Sequence, residues 1–191
     1  MGVDYYFYSE VKNKDGKWEC LNRHAEKRVA ATYSCSAGFI SDNIDNCNCN
    51  VVNREDVSPE LQDYLWEDED GKERDPLYTN VYEIEFGQIE REYESFKKRM
   101  GYVPIDQFER AACDDEEVTV CYTVEQYLKM KNSEGKGRLM WYEWYPDADA
   151  RGILGEIIAH HRWLLKDYMY VNGIWEHRDG VPETRLILNI C

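Results

Sequence analysis

The sequence predicts an α+β domain whose mostly antiparallel sheet is opened by an N-terminal β-hairpin and closed by a C-terminal strand, packed on a long helix near residues 148–171. Three observations point there. Strand patterns stand at both ends of the chain. Helical patterns are concentrated between them. The longest run of three-and-four spaced apolar residues directly follows an aromatic strand.

The hairpin comes first. Residues 3–11 alternate well enough for a strand, Asp15-Gly16 is a strong turn signal, and residues 17–21 return. Residues 22–28 are polar and basic, and residues 29–36 predict a third short strand. Residues 41–50 hold four Asn, two Asp and two Cys, a composition that belongs on the surface. Ser58-Pro59 opens a helix, with Ser58 as its cap, Pro59 in the first turn and Leu61, Tyr64 and Leu65 as the buried stripe. Glu67, Asp68, Glu69 and Asp70 then oppose continuation, because carboxylates meet the negative end of the helix dipole.

Residues 79–86 predict a strand. Residues 88–100 predict a helix with Ile89, Tyr93, Phe96 and Met100 inward and Gly101 as its stop. A short helix is expected over 105–113, followed by the acidic run Asp114, Asp115, Glu116 and Glu117 and a strand over 118–122. Thr123 and Gln126 have capping-box spacing for a helix ending near Asn132. Residues 133–137 read as a flexible link.

Residues 138–145 are apolar on both alternating sets, which predicts a central strand covered on both faces, and the piece around which the chain packs. Pro146 ends it, and Asp147 is placed to cap the long helix. That helix carries Leu154, Ile157, Ile158, His161, Leu164, Leu165 and Tyr168 on one stripe, spans roughly 36 Å at 1.5 Å per residue, and stops at Asn172-Gly173. Gly152 and Gly155 in its first turns imply either a close approach of another backbone, such as the aromatic strand, or a later helix start. Residues 177–180 form a turn before the terminal strand over 184–190.

A chain of 191 residues reads as a single domain, with residues about 54–132 as a candidate acidic helical insertion or subdomain. No basic-then-apolar leader begins it and no run of about 18 apolar residues occurs, so neither a secretory signal nor a membrane span is expected. Seven cysteines without a leader fit free thiols in a reducing, cytoplasmic compartment. The net charge is −15, and residues 54–117 hold 21 Asp and Glu against 8 Lys and Arg, a balance of −13. Such a surface repels phosphates, which disfavours direct nucleic-acid binding and favours a protein partner with a basic surface.

Chemical motifs are sparse. Cys20, Cys35, Cys47 and Cys49 with His24 have only one close pair, Cys47-x-Cys49, and lack the spacing of a zinc site. Asp147-x-Asp149-x-Arg151 begins like a calcium loop but has Arg151 and Ile158 where Asp or Asn and Glu are needed. No phosphate loop or hydrolase motif occurs, and no cofactor or metal is expected. Glu156 and His160, four apart on the long helix, are the one pair able to orient a general base, and His161 reads as a core histidine.

Two functional readings follow, and a third rests on that pair. In being short, acidic, aromatic and poor in motifs, the chain resembles the small accessory proteins of bacteriophages and mobile elements. The first reading is a non-enzymatic, anti-defence inhibitor acting in a bacterial cytoplasm. Its acidic runs (Glu67, Asp68, Glu69, Asp70 and Asp114, Asp115, Glu116, Glu117) would imitate nucleic acid and occupy a basic groove of a partner. The second is a small-ligand, nucleotide-sequestering protein with an aromatic pocket at Trp141, Tyr142, Trp144 and Tyr145. The third is an enzyme using Glu156 and His160.

Overall fold

The computed structural model describes residues 4–22, 33–36, 49–67, 71–73, 80–113, 117–131, 138–146 and 148–190. The chain is α+β. In order, its elements are β1 (Asp4–Lys12), β2 (Trp18–Cys20), β3 (Tyr33–Ser36), β4 (Asn50–Val51), a 3₁₀ turn (Arg54–Asp56), α1 (Pro59–Trp66), β5 (Asn80–Glu85), α2 (Phe86–Ser95), β6 (Arg99–Pro104), α3 (Ile105–Cys113), α4 (Val124–Lys131), β7 (Leu139–Trp144), α5 (Ala148–Val171), α6 (Glu176–Asp179) and β8 (Thr184–Ile190). They fall into two compact units, Met1–Tyr93 with Gly152–Cys191, and Glu94–Arg151.

The first unit is organised on β8. The sheet order is β2-β1-β8-β5-β4, with β3 also on β1, and every pairing is antiparallel. The C-terminal strand is therefore central, not an edge. Leu186, Ile187 and Leu188 are all fully buried, so both faces of β8 are covered. On one face, Tyr8, Cys20, Val81 and Ile187 pack against Val57, Leu61 and Leu65 from the 3₁₀ turn and α1. On the other face lie Phe7, Ser9, Ile84, Leu186 and Leu188, by the alternation of the registers. The long helix covers that face through His161, whose ring bonds Ser9 Oγ at 2.9 Å and Thr184 Oγ1 at 3.1 Å.

Local signals explain these elements. Asn13 Oδ1 accepts the amides of Asp15 and Lys17, and Gly16 at φ +75° closes the hairpin turn. The long helix ends in a Schellman motif: Ile174 N–H donates to Met169 O, Gly173 N–H to Tyr170 O, and Gly173 takes φ +64°. Pro59 stands at the start of α1 as expected, but the Ser58 hydroxyl makes no cap bond. The Ser58 amide instead donates to the buried carboxylate of Glu10 at 2.7 Å. Gly155 is explained by neither expectation: the helix already begins at Ala148, and what a Cβ there would meet, at 3.2 Å, is the ring of Tyr93. Asp147 lies outside the described residues.

The second unit overturns three expectations. Residues 138–145 do not form a central strand: among the described residues β7 pairs only with β6, in a two-stranded ribbon, and Met140 and Trp141 are exposed. Aromatic rings tolerate a half-covered surface, so apolar character on both sets did not require burial on both. The helix expected over 88–100 ends at Ser95, and residues 99–104 are β6. Gly101 is thus a strand residue rather than a helix stop. Residues 118–122 contribute a single bridge, Tyr122 to Tyr102, rather than a strand. The helix over 124–131 and its capping box are present: Thr123 N–H donates to Gln126 Oε1 at 2.8 Å and Gln126 N–H to Thr123 Oγ1 at 3.2 Å.

The bridge explains Gly101. Its paired amides bring the backbone of Tyr122 beside β6, so a Cβ on Gly101 would lie 2.3 Å from Cys121 Sγ and 3.0 Å from Tyr122 O. We expect Gly101→Ala to destabilise this unit by about 1–3 kcal/mol, the range for forced overpacking. A lowered urea midpoint would show it, and an unchanged midpoint would contradict the close approach.

Candidate functional site

Within the described part of the acidic segment, one cluster of carboxylates sits at the 3₁₀ turn and α1. Leu61 and Leu65 face the core, and the same segment carries Glu55, Asp56, Glu60, Asp63 and Glu67. Glu60 and Asp63 stand three apart within α1, while Asp56 precedes the non-helical residues Val57 and Ser58 and Glu67 follows the helix. Glu55, Asp56 and Asp63 are exposed. Arg54 is the one cation within this run, and it bonds Glu67 and lies 3.7 Å from Asp63. These are partly exposed pairs, so they orient the ridge more than they stabilise it.

The ridge is mounted on a buried charge network. Arg185, second in β8, and Glu10, opposite it in β1, both face α1. Glu10 is fully buried and Arg185 is 6% exposed. Arg185 Nε donates to Glu10 Oε2 at 2.8 Å, and its two terminal nitrogens reach Glu83 and the carbonyl of Asp56. Its guanidinium also lies 4.0 Å from the ring centroid of Trp18. Glu10 Oε1 takes the Ser58 amide. Through Asp56 O and Ser58 N–H, one buried ion pair thus fixes the entry to α1 from the sheet beneath it. A cleft of about 560 Å³ opens beside it, with Trp18, Glu55, Asp56, Gln62, Glu83 and Arg185 among its walls.

The residues singled out from sequence are placed as follows. Glu67 is half-buried at the end of α1 and Glu117 is exposed in the second unit. Asp68, Glu69, Asp70, Asp114, Asp115 and Glu116 lie outside the described residues. Trp141 belongs to one face of the ribbon with Tyr102, whose ring stacks on Tyr127 at 3.9 Å. Tyr142 and Trp144 belong to the other, where Phe108 meets Tyr142 edge-on. Tyr145 carries the Arg151 guanidinium at 4.0 Å. These aromatics are therefore engaged with neighbours on two sides of a ribbon. Glu156 and His160 are exposed on α5.

Of the candidate zinc ligands, Cys20 is buried in the core of the first unit and Cys49 is half-buried; His24 and Cys47 lie outside the described residues. Among the described residues no group of three or more His, Cys, Asp or Glu is arranged to hold a metal ion. No described helix is long and apolar enough to cross a membrane.

His161 is a core residue, as its position in the apolar stripe predicts. Its ring is fully buried, bonded at both nitrogens, and stacked 4.0 Å from Phe86. Burial, with a smaller contribution from the Arg162 charge, pushes its pKa down from 6.5 to about 4.

The network of Glu10, Glu83, Arg185 and Trp18 was missed in the sequence. A signal existed: Glu10 and Arg185 each interrupt an inward-facing set, Tyr6 and Tyr8 in one strand and Ile187 in the other. Two opposite charges at inward positions of two strands are the mark of a buried pair.

No family model matches the chain, and neither curated proteins nor solved structures yield a match.

Proposed function

We propose that the chain is a non-enzymatic binding protein whose acidic surface, led by the ridge over residues 54–67, occupies the basic nucleic-acid-binding groove of a partner protein. An anti-defence inhibitor of phage or mobile-element origin, acting in the cytoplasm of a bacterial host, would work in this way. The observation that carries the reading is the rigid mounting of exposed Glu55, Asp56 and Asp63 on a helix entry fixed by Glu10 and Arg185. Fixed carboxylates lose less conformational entropy on binding than mobile ones and keep a set spacing toward the partner's cations. The −15 net charge adds steering toward a basic groove.

The test is competition with duplex DNA for nucleic-acid-handling proteins, at ionic strengths from about 50 to about 500 mM. Steered association falls steeply over that range. The double variant Glu55→Lys with Asp63→Lys is expected to weaken competition roughly a hundredfold at low salt, about tenfold for each reversed charge. Competition indifferent to both salt and charge reversal would end the reading.

A further inference from the structure

A second surface of the first unit has a different chemistry. Beside the C-terminal half of α5 lies a groove of about 760 Å³, within the usual range for small-molecule sites. Leu165, Met169 and Tyr170 line it from the helix, and Phe86 at the start of α2 lines it from the other side. The segment after α5 adds Ile174, Trp175 and Val181. Three of these apolar side chains are left open to solvent: Tyr170 is 84% exposed, Trp175 62% and Val181 56%. An apolar concavity with large exposed rings is the kind of surface that binds something.

The walls are held in place without a ligand. Phe86 is stacked on the buried ring of His161. The Trp175 amide donates to Asp179 Oδ2, and the Trp175 carbonyl accepts the amides of Arg178 and Asp179. The Schellman turn at Gly173 sets the point where this segment leaves the helix.

Charge then narrows the occupant. The charged side chains lining the groove are Arg162, Lys166 and Glu90, with His177 beside them. Glu90 is the one acid among the lining residues and Arg162 holds it at 2.6 Å, while the nearby Asp179 carboxylate is engaged by the Trp175 amide at 3.1 Å. Lys166, one turn beyond Arg162 on the same face, makes no ion pair with a described residue. A lysine without an ion pair among the described residues, on an apolar groove, stands out in a chain of net charge −15. At physiological ionic strength charges beyond about 8 Å are largely screened, so the groups at the groove itself set the local potential.

We infer that this groove is a binding site for a small aromatic anion, a planar apolar body carrying a carboxylate, sulfonate or phosphate. The rings of Phe86, Tyr170 and Trp175 offer faces and edges for the planar body. Lys166 is the group that meets the anion, with His177 and the Glu90-paired Arg162 beside it. The site does not depend on the acidic ridge, and either can fail without the other.

The test uses two dyes with the same ring system, anilinonaphthalene sulfonate and its uncharged analogue phenylnaphthylamine, titrated into the folded full chain and read by dye fluorescence. The charged dye is expected to saturate a single site. Lys166→Glu should weaken it roughly tenfold, because attraction is replaced by repulsion, while the uncharged dye changes by less than about twofold. Trp175→Ala should weaken both dyes. Thermal midpoints equal to that of the parent chain confirm that each variant is folded, and Lys166→Gln, expected to fall between parent and Lys166→Glu, serves if the reversal does not fold. Absence of saturable binding would overturn the inference. So would an equal effect of Lys166→Glu on both dyes, or a dimer in sedimentation that closes the groove and excludes them.

Discussion

Replacing Arg185 with leucine is expected to lower the free energy of unfolding by about 3–5 kcal/mol, the usual cost of removing one partner from a buried ion pair. The loss has little to do with the strength of the pair itself. Glu10 is fully buried, and its charge loses the guanidinium bonded to it. Glu83 loses its bond to Arg185, Asp56 O loses a donor, and Trp18 loses the nearer of two cations over its ring, with Lys12 Nζ remaining at 5.3 Å. The measurement is urea denaturation at neutral pH. The double variant Glu10→Gln with Arg185→Leu removes the stranded charge and leaves a carbonyl to accept the Ser58 amide. It should regain a large part of the loss, because a neutral group is far cheaper to bury than a carboxylate. A single variant within about 1 kcal/mol of the parent would mean that the pair is solvated rather than buried.

The second large effect is a loss of stability on mild acidification, traced to His161. The folded pKa is about 4 and the unfolded value 6.5. Above 6.5 the imidazole is neutral in both states and contributes no pH dependence. Between 6.5 and 4 the unfolded chain binds a proton that the folded chain refuses, so stability falls as pH falls. The loss reaches about 2 kcal/mol by about pH 5 and about 3 kcal/mol by about pH 4. Carboxylates titrate in the lower part of this window too, so the informative quantity is the difference from His161→Gln. Glutamine has a donor and an acceptor for Ser9 and Thr184 but no proton to gain. Denaturation midpoints of the two proteins should converge as pH falls from 6.5 toward 5, and parallel curves would show that His161 is not held neutral.

Much of the architecture is legible in the residues, and the reasons differ by element. The hairpin, α1, the capping box of α4 and the long helix with its Gly173 stop all carry local signals strong enough to stand without tertiary context. The centre of the sheet is a different matter. Both Leu186-Ile187-Leu188 and Met140-Trp141-Tyr142 are apolar on successive positions, and periodicity does not rank them. The aliphatic run is the one buried on both faces, while the aromatic run makes a half-exposed ribbon in which rings cover one another. The end of α2 was hidden because residues 96–100 continue an acceptable helical pattern. What displaces it is the pairing of β6 with β7, a contact about 40 residues away in sequence.

The candidate surfaces were legible only in part. The acidity of residues 54–67 is plain in the sequence. Its mounting is not, since Glu10, Glu83 and Arg185 come from three strands far apart in the chain and meet only through sheet order. The groove is hidden for the same reason: Phe86, Trp175 and Val181 have no shared periodicity with the helix they face.

The claim on which the account turns is that residues 54–67 form the surface that receives cations. Titrating the isotope-labelled protein with a nona-arginine peptide and following its backbone amide resonances tests it most directly. The account predicts saturable shifts that are largest across the 3₁₀ turn and α1, and that are suppressed by Glu55→Lys with Asp63→Lys. Shifts spread evenly over the molecule, or centred away from residues 54–67, would contradict it.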